Sequence, residues 1–265
     1  TYVEGTLTSG TVNSGTWTFV FNAALVGGLT AGDVVSYFVI AQDVAAVPNV
    51  GADPGAGLVA SSVSSITTYP TTPAVYTVQS VLSGTYTIPG SYSSLGDAVS
   101  AYNTSCLGGN VVFELGAGYT STGESFPITI NANADASATK TLTIRPATGA
   151  TPVITGVVSP GALIKLNGAD WVTIDGSNSG GTDRSLTLSN TTTSTATTSA
   201  VLWLAAPTAS NGATNNVVKN CVIEGDAPTT TFLGVFVGGN ATITLTAAGL
   251  ASNNNNTLNN NLFRK

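Results

Sequence analysis

Any chemistry in this chain has to come mainly from oxygen. The stretch Asp175-Gly176-Ser177-Asn178-Ser179-Gly180-Gly181-Thr182-Asp183 sets oxygens at alternating positions, a degenerate form of a calcium loop. It lacks the closing bidentate Glu, so Asp175, Asn178 and Asp183 are weak candidate Ca²⁺ ligands set against the plainer reading of a polar loop. Asp43, Asn49 and Asp53 form a similar weak cluster near the start. Asp170 and Asp175 lie five residues apart across one strand, so they flank it rather than meet for acid–base work. In the simpler account Asp170 caps a turn and Asp175-Gly176 ends the strand. The chain has no His, which removes the commonest general base and metal ligand. No catalytic residue is assigned, and no cofactor other than that weak Ca²⁺ candidate.

Composition narrows the partners. Only 8% of the 265 residues are charged, against about 25% in an average soluble chain. Thirteen acids against 7 bases give a net charge of −6 with no basic run. Nucleic acid and anionic membrane surfaces are therefore not expected as partners. Mean hydropathy is +0.29, yet no segment offers the roughly 20 unbroken apolar residues of a spanning helix, so no membrane insertion is expected. Low charge with abundant Thr, Ser, Asn and Gly suits a secreted all-β protein held in solution by hydroxyls and amides. Cys106 and Cys221 do not make a disulfide framework. The chain starts in strand-like sequence at Thr1-Tyr2-Val3-Glu4 and stops at Leu262-Phe263-Arg264-Lys265 within a repeat. It is expected to be a mature or cleaved piece of something longer.

The elements that would position these residues fall into two regions. In residues 1–69, Trp17, Phe19 and Phe21 alternate with Thr16, Thr18 and Val20, the period of a half-buried strand. Val34 to Ala41 carries apolar residues on both faces, as in a strand buried on both sides. Residues 70–82, opened by Pro70-Thr71-Thr72-Pro73, read as a stiff linker, with Val75 to Val81 as a joining strand. Beyond it stands one convincing helix, about 94–102. Leu95, Ala98, Val99 and Tyr102 share a face, and Ser94 with Asp97 forms a capping-box start. From Val111 onward short strands recur, among them Trp171–Ile174, Ala200–Leu204 and Val217–Ile223.

An internal repeat organises that second region. Asn216-Val217-Val218-Lys219-Asn220-Cys221-Val222-Ile223 aligns with Asn256-Thr257-Leu258-Asn259-Asn260-Asn261-Leu262-Phe263 at an offset of 40. Such a period means a stacked architecture. The pattern fits a right-handed parallel β-helix over 83–265, apolar residues inward. Asn220, Cys221, Asn260 and Asn261 then hold turn positions where side-chain ladders satisfy buried backbone groups. The helix, through Leu95, Val99 and Tyr102, should cap the first coil and shield its strand edge. With about three coils between them, Cys106 and Cys221 should stand too far apart to bridge. The expected fold class is all-β: a partial sandwich, then a helix-capped parallel β-helix, C-terminally incomplete.

Two resemblances accompany this reading. Gly32-Asp33-Val34-Val35-Ser36-Tyr37-Phe38-Val39-Ile40-Ala41-Gln42-Asp43 resembles the late strands of fibronectin type III or immunoglobulin-like sandwiches. The second rests on Gly84-Thr85-Tyr86-Thr87-Ile88, Ser94-Leu95-Gly96-Asp97-Ala98-Val99, Thr141-Leu142-Thr143-Ile144-Arg145-Pro146-Ala147 and Asp170-Trp171-Val172-Thr173-Ile174-Asp175-Gly176. Together they resemble parallel β-helix regions of Bacteroidota surface and adhesin-like proteins, often type IX secretion cargo. That resemblance implies an extracellular or cell-surface location and a structural or adhesive role. The last repeat, Asn256 to Phe263, runs on without a cap and leaves an open strand edge, so self-association or further parts of a parent chain are expected to cover it, with glycans as a further expected partner.

Two other function classes stay open. Polysaccharide-cleaving β-helices need clustered Asp with Arg or Lys on one outer face, and no such cluster stands out here. The Thr/Ser tract Asn190 to Ser199 suggests an ice- or glycan-binding face, against the reading of a solvated loop. A lattice would need Thr rows repeated from coil to coil. Trp17 and Trp203 read as core or inter-coil stacking, and Trp171 as either core or platform.

Overall fold

Alternating apolar residues from Val111 onward build strands that stack in parallel register instead of turning back as hairpins. A computed structural model describes residues 1–226, 231–239, 241–244 and 252–265. The chain divides into two units, Thr1–Ser80 and Val81–Lys265.

The first unit carries β1 (Thr6–Thr11), β2 (Ser14–Thr18), β3 (Val34–Tyr37), β4 (Val39–Gln42), β5 (Val50–Asp53), β6 (Val59–Ser62), β7 (Ser65–Thr68) and β8 (Ala74–Thr77). They form separate antiparallel pairs: β1 with β2, β3 with β8, β4 with β5, and β6 with β7. Two sequence expectations are corrected here. Val34 to Ala41 breaks at Phe38 into two strands, and Val34 is 62% exposed rather than buried on both faces. Trp17 is 42% exposed and so is not core. A two-stranded ribbon covers neither of its faces, so alternation alone cannot bury these side chains. The segment expected as a linker, 70–82, contains β8, which pairs with β3, and the unit boundary falls between Ser80 and Val81.

The second unit is a parallel β-helix. Its strands are β9 (Val81–Ile88), β10 (Cys106–Leu115), β11 (Ile128–Asn131), β12 (Leu142–Pro146), β13 (Val153–Gly156), β14 (Gly161–Asn167) and β15 (Val172–Asp175). They continue as β16 (Leu186–Asn190), β17 (Ser199–Ala206), β18 (Val217–Lys219), β19 (Cys221–Gly225), β20 (Leu233–Gly239), β21 (Thr257–Asn259) and β22 (Leu262–Arg264). Sheet one is ordered β9-β10-β12-β15-β18-β21, sheet two β13-β16-β19-β22, and sheet three β11-β14-β17-β20. Each full coil runs through sheets one, two and three in turn: coil 2 is β12-β13-β14, coil 3 β15-β16-β17 and coil 4 β18-β19-β20. Coil 1 holds β10 and β11, and coil 5 holds β21 and β22.

Register places like residues in columns. Phe113, Ile144, Ile174, Val218 and Leu258 stack in sheet one, and Ile128, Ile164, Leu202 and Val235 in sheet three. Phe113, Ile144, Ile164, Ile174 and Leu202 are fully buried. Each such side chain contributes roughly 1.5–3 kcal/mol by leaving water. The expected strand Val217–Ile223 is in fact two strands, β18 and β19, because Asn220 turns the chain with φ 57. Asn and Asp tolerate this left-handed conformation better than other non-glycine residues.

The helix α1 (Leu95–Thr104) lies beside β11, where a preceding strand of sheet three would run. Asn103 supplies the missing pairing: its side-chain N–H donates to the Thr129 carbonyl at 2.8 Å and its Oδ1 accepts the Asn131 N–H at 2.9 Å. In coil 1 the place of a sheet-two strand is taken by a 3₁₀ turn, Ser121–Gly123. The Ser121 hydroxyl donates to the Val153 carbonyl at 3.0 Å and accepts the Thr155 N–H at 2.9 Å.

Candidate functional site

β15 ends at Asp175, and the backbone then leaves the coil through Ser177–Arg184 before entering β16. Asp183 closes this loop on itself. It accepts the hydroxyls of Ser177 at 2.7 Å, Ser185 at 2.7 Å and Ser179, and the Asn178 N–H at 3.0 Å. The Ser177 and Ser179 hydroxyls lead in holding its carboxyl far below the usual carboxylate range.

The other candidate ligands serve other partners. Asp175 accepts the Ser177 N–H at 3.1 Å and the Asn220 side-chain N–H at 2.8 Å, and pairs with Lys219 at 3.1 Å. Asn178 donates its side-chain N–H to the Ala150 carbonyl at 2.8 Å. Among the described residues no group of three or more His, Cys, Asp or Glu side chains is placed to hold a metal ion. At the other weak cluster, Asp43 accepts the Asn49 side-chain N–H at 2.5 Å and the Ala45 and Asn49 N–H groups. The Asn49 side chain leads in lowering the Asp43 carboxyl. Asp170 accepts the Thr214 N–H at 2.7 Å and hydroxyl at 2.6 Å, joining two turns of successive coils.

The corner after sheet one is an amide ladder. Asn260 turns with φ 50, as Asn220 does one coil earlier, and donates to the Asn220 Oδ1 at 2.8 Å. Asn220 in turn donates to Asp175. One residue further, Asn261 Oδ1 accepts the Cys221 N–H at 3.0 Å while its nitrogen donates to the Val218 carbonyl at 2.8 Å. Cys221 takes the equivalent position in coil 4, fully buried, its thiol donating to the Lys219 carbonyl at 3.1 Å. Burial pushes that thiol up to about 12. Neither cysteine is bridged.

The corner before sheet one repeats the device. Asn216 and Asn256 each reach back one coil, to Val172 N–H at 2.9 Å and Asn216 N–H at 3.0 Å. Trp171, Asn215 and Asn255 adopt left-handed φ there. Trp171 is thus a corner residue outside β15, not the first residue of a strand.

At the cap, Leu95 and Tyr102 are fully buried and Val99 is 2% exposed. The Ser94 hydroxyl accepts the Asp97 N–H at 3.0 Å. No sequence signal pointed to Glu124, whose two oxygens accept the Leu95 and Gly96 N–H groups at 2.7 and 2.8 Å. This places a carboxylate on the positive end of the helix from 28 and 29 residues away. Burial, seconded by Asp170, pushes the Tyr102 hydroxyl up to about 12.

The outer faces are hydroxyl-rich and charge-paired. Thr85, Val112, Thr143, Thr173, Val217 and Thr257 share one register column of sheet one. Beside it Glu114 pairs with Arg145 at 3.0 Å and Asp175 with Lys219. The tract Asn190 to Ser199 links β16 to β17, pinned by fully buried Asn190. It forms one loop and adds no Thr row from coil to coil. Trp203 is 6% exposed and stacks with Phe236 at 5.8 Å, with the Lys165 ammonium 4.2 Å from its ring centre. An open cleft of about 610 Å³ lies along Tyr119, Thr120, Ser121, Thr151 and Thr155. No helix among the described residues is long and apolar enough to cross a membrane. No family model, curated protein or solved structure compared with the chain matches it.

Proposed function

We propose that this chain is a non-enzymatic structural or adhesive segment of a large bacterial surface or filament protein, working outside the cell. The observation that carries this reading is the use made of acidic side chains. From Asp97 to Glu224 each carboxylate of the β-helix accepts hydrogen bonds from, or pairs with, a neighbour that holds a helix, turn or coil in place. General acid–base catalysis needs a carboxyl within reach of substrate, and glycoside hydrolysis needs a pair. The same groups here hold the helix start, close a loop or tie one coil to the next. The resemblance to Bacteroidota surface proteins adds the type IX export route, and makes the first unit part of a fibronectin type III or immunoglobulin-like module. Its partners are then other parts of the parent chain, further copies, or glycans.

A carbohydrate-binding reading is favoured by one feature, the cleft along Thr120, Ser121, Thr151 and Thr155. Its lining is uncharged and rich in hydroxyls, which suits neutral sugars.

Antibodies against the chain, applied to intact producing cells before and after a brief protease shave, test the main reading. Labelling of intact cells that disappears on shaving is expected; signal only after lysis overturns it. Incubation with pectin, alginate and xylan, followed by assay of new reducing or unsaturated ends, tests the enzymatic alternative. Turnover there would replace the structural reading.

A further inference from the structure

We propose that residues 177–184 form an axial clamp that couples coils 2 to 5 of the β-helix directly. Stacked-coil proteins normally hold together by nearest-neighbour contacts, so each coil feels only the one before and after it. This loop breaks that rule. It leaves from coil 3, yet Asn178 donates to the Ala150 carbonyl of coil 2 at 2.8 Å. The Gly181 carbonyl accepts from Asn220 of coil 4 at 3.3 Å, and the Thr182 carbonyl accepts from Asn260 of coil 5 at 2.9 Å. Arg184 then grips Asn260 twice, with Nε on its carbonyl at 2.7 Å and a second guanidinium N–H on its Oδ1. The loop therefore runs along the stacking axis across about three coil steps of ~4.8 Å.

Asp183 makes the clamp stiff. Its carboxylate ties Ser177, Ser179 and Ser185, so the outgoing and returning ends of the loop are fixed to one point. A loop ordered in this way loses little further conformational entropy when it engages the corner asparagines. Opening of coil 5 must then break contacts to coil 3 as well as to coil 4, and these coils should open as one unit.

Hydrogen-exchange mass spectrometry on the 265-residue chain, its Arg184→Ala variant and its Asp183→Asn variant tests the clamp. In the unmodified chain, peptides spanning β15–β16, β18–β19 and β21–β22 should exchange at one common rate. Arg184→Ala should speed exchange in β21–β22 at least tenfold and leave β10–β12 unchanged. Asp183→Asn should speed both β18–β19 and β21–β22. The proposal is overturned if the unmodified chain already shows β21–β22 exchanging as fast as in Arg184→Ala. It is equally overturned if Arg184→Ala speeds every coil alike, since the residue would then act on overall stability and not on coupling.

Discussion

The side-chain nitrogen of Asn167 donates to the Oδ1 of Asn131 one coil below at 3.0 Å, and there the ladder of sheet three stops. The next register partner is Ala205, fully buried, which offers no donor. Among the described residues the Asn167 Oδ1 is buried without a hydrogen-bond partner.

This asymmetry sets the cost of removing either amide. Asn131→Ala leaves the Asn167 side chain unpaired at both ends, and should cost about 1–3 kcal/mol. Asn167→Ala removes the orphan carbonyl together with the bond, and should cost less than half as much. Urea denaturation of the two variants measures the difference. Equal losses would mean that Asn167 Oδ1 has a partner, such as a buried water.

The cap offers a test of long-range helix capping. Glu124→Ala strips the acceptors from the Leu95 and Gly96 N–H groups in a part-buried setting. It should cost about 1–3 kcal/mol. Leu95→Ala, at a fully buried position, should cost about 2–5 kcal/mol. Thermal unfolding should show both variants melting earlier. An unchanged melting temperature for Glu124→Ala would show that the Ser94 hydroxyl caps the helix sufficiently alone.

What could be read from the residues was whatever repeats or alternates nearby. The offset of 40 between Asn220-Cys221 and Asn260-Asn261 exposes the stack because equivalent turns demand equivalent amides. The face of Leu95, Val99 and Tyr102 exposes the helix because periodicity is local. The repeat marks Asn220 as a turn position, but the break of Val217–Ile223 into two strands there does not show in the apolar pattern, since apolar residues flank it on both sides and a left-handed Asn does not interrupt that pattern. Glu124 and Arg184 stayed hidden for another reason: their partners lie 28–29 and 76 residues away, and no local rule links such positions. Trp17 misled because alternation marks a strand face, while burial needs a second layer over it.

Cys221 predicts an alkaline weakness. Burial, with Asp175 as a lesser cause, raises its thiol to about 12 in the fold, against about 8.5 in an unfolded chain. The folded state therefore holds the proton that the unfolded state releases. The stabilisation is full below pH ~8.5 and is lost as pH rises toward 12, by up to about 1.4 kcal/mol per pH unit. Chemical denaturation of the unmodified chain between about pH 8 and about pH 10.5 should show this decline, and Cys221→Ala should flatten it. A thiol reagent should modify Cys221 only as fast as the chain unfolds; rapid labelling of native protein at Cys221 would contradict its burial.

The tightest backbone approach in the candidate site lies between Gly176 and Asn220. A Cβ placed on Gly176 would stand 1.9 Å from the Asn220 carbonyl oxygen and 2.6 Å from its carbon. Both are main-chain atoms, held by the Gly176 N–H bond to the Lys219 carbonyl at 2.9 Å and by the left-handed corner at Asn220. Neither coil can yield without breaking sheet pairing, so Gly176→Ala should cost more than about 3 kcal/mol, beyond the usual range for overpacking. Gly180 is the control. Its φ is +76 and a Cβ there would have no other atom within 4 Å, so Gly180→Ala should cost only the left-handed penalty of about 1–2 kcal/mol. Guanidinium denaturation of the pair separates steric exclusion from backbone strain. If Gly176→Ala proves no worse than Gly180→Ala, coils 3 and 4 can part at this corner, and the close packing that aligns Asp175 with Asn220 is not what fixes their register.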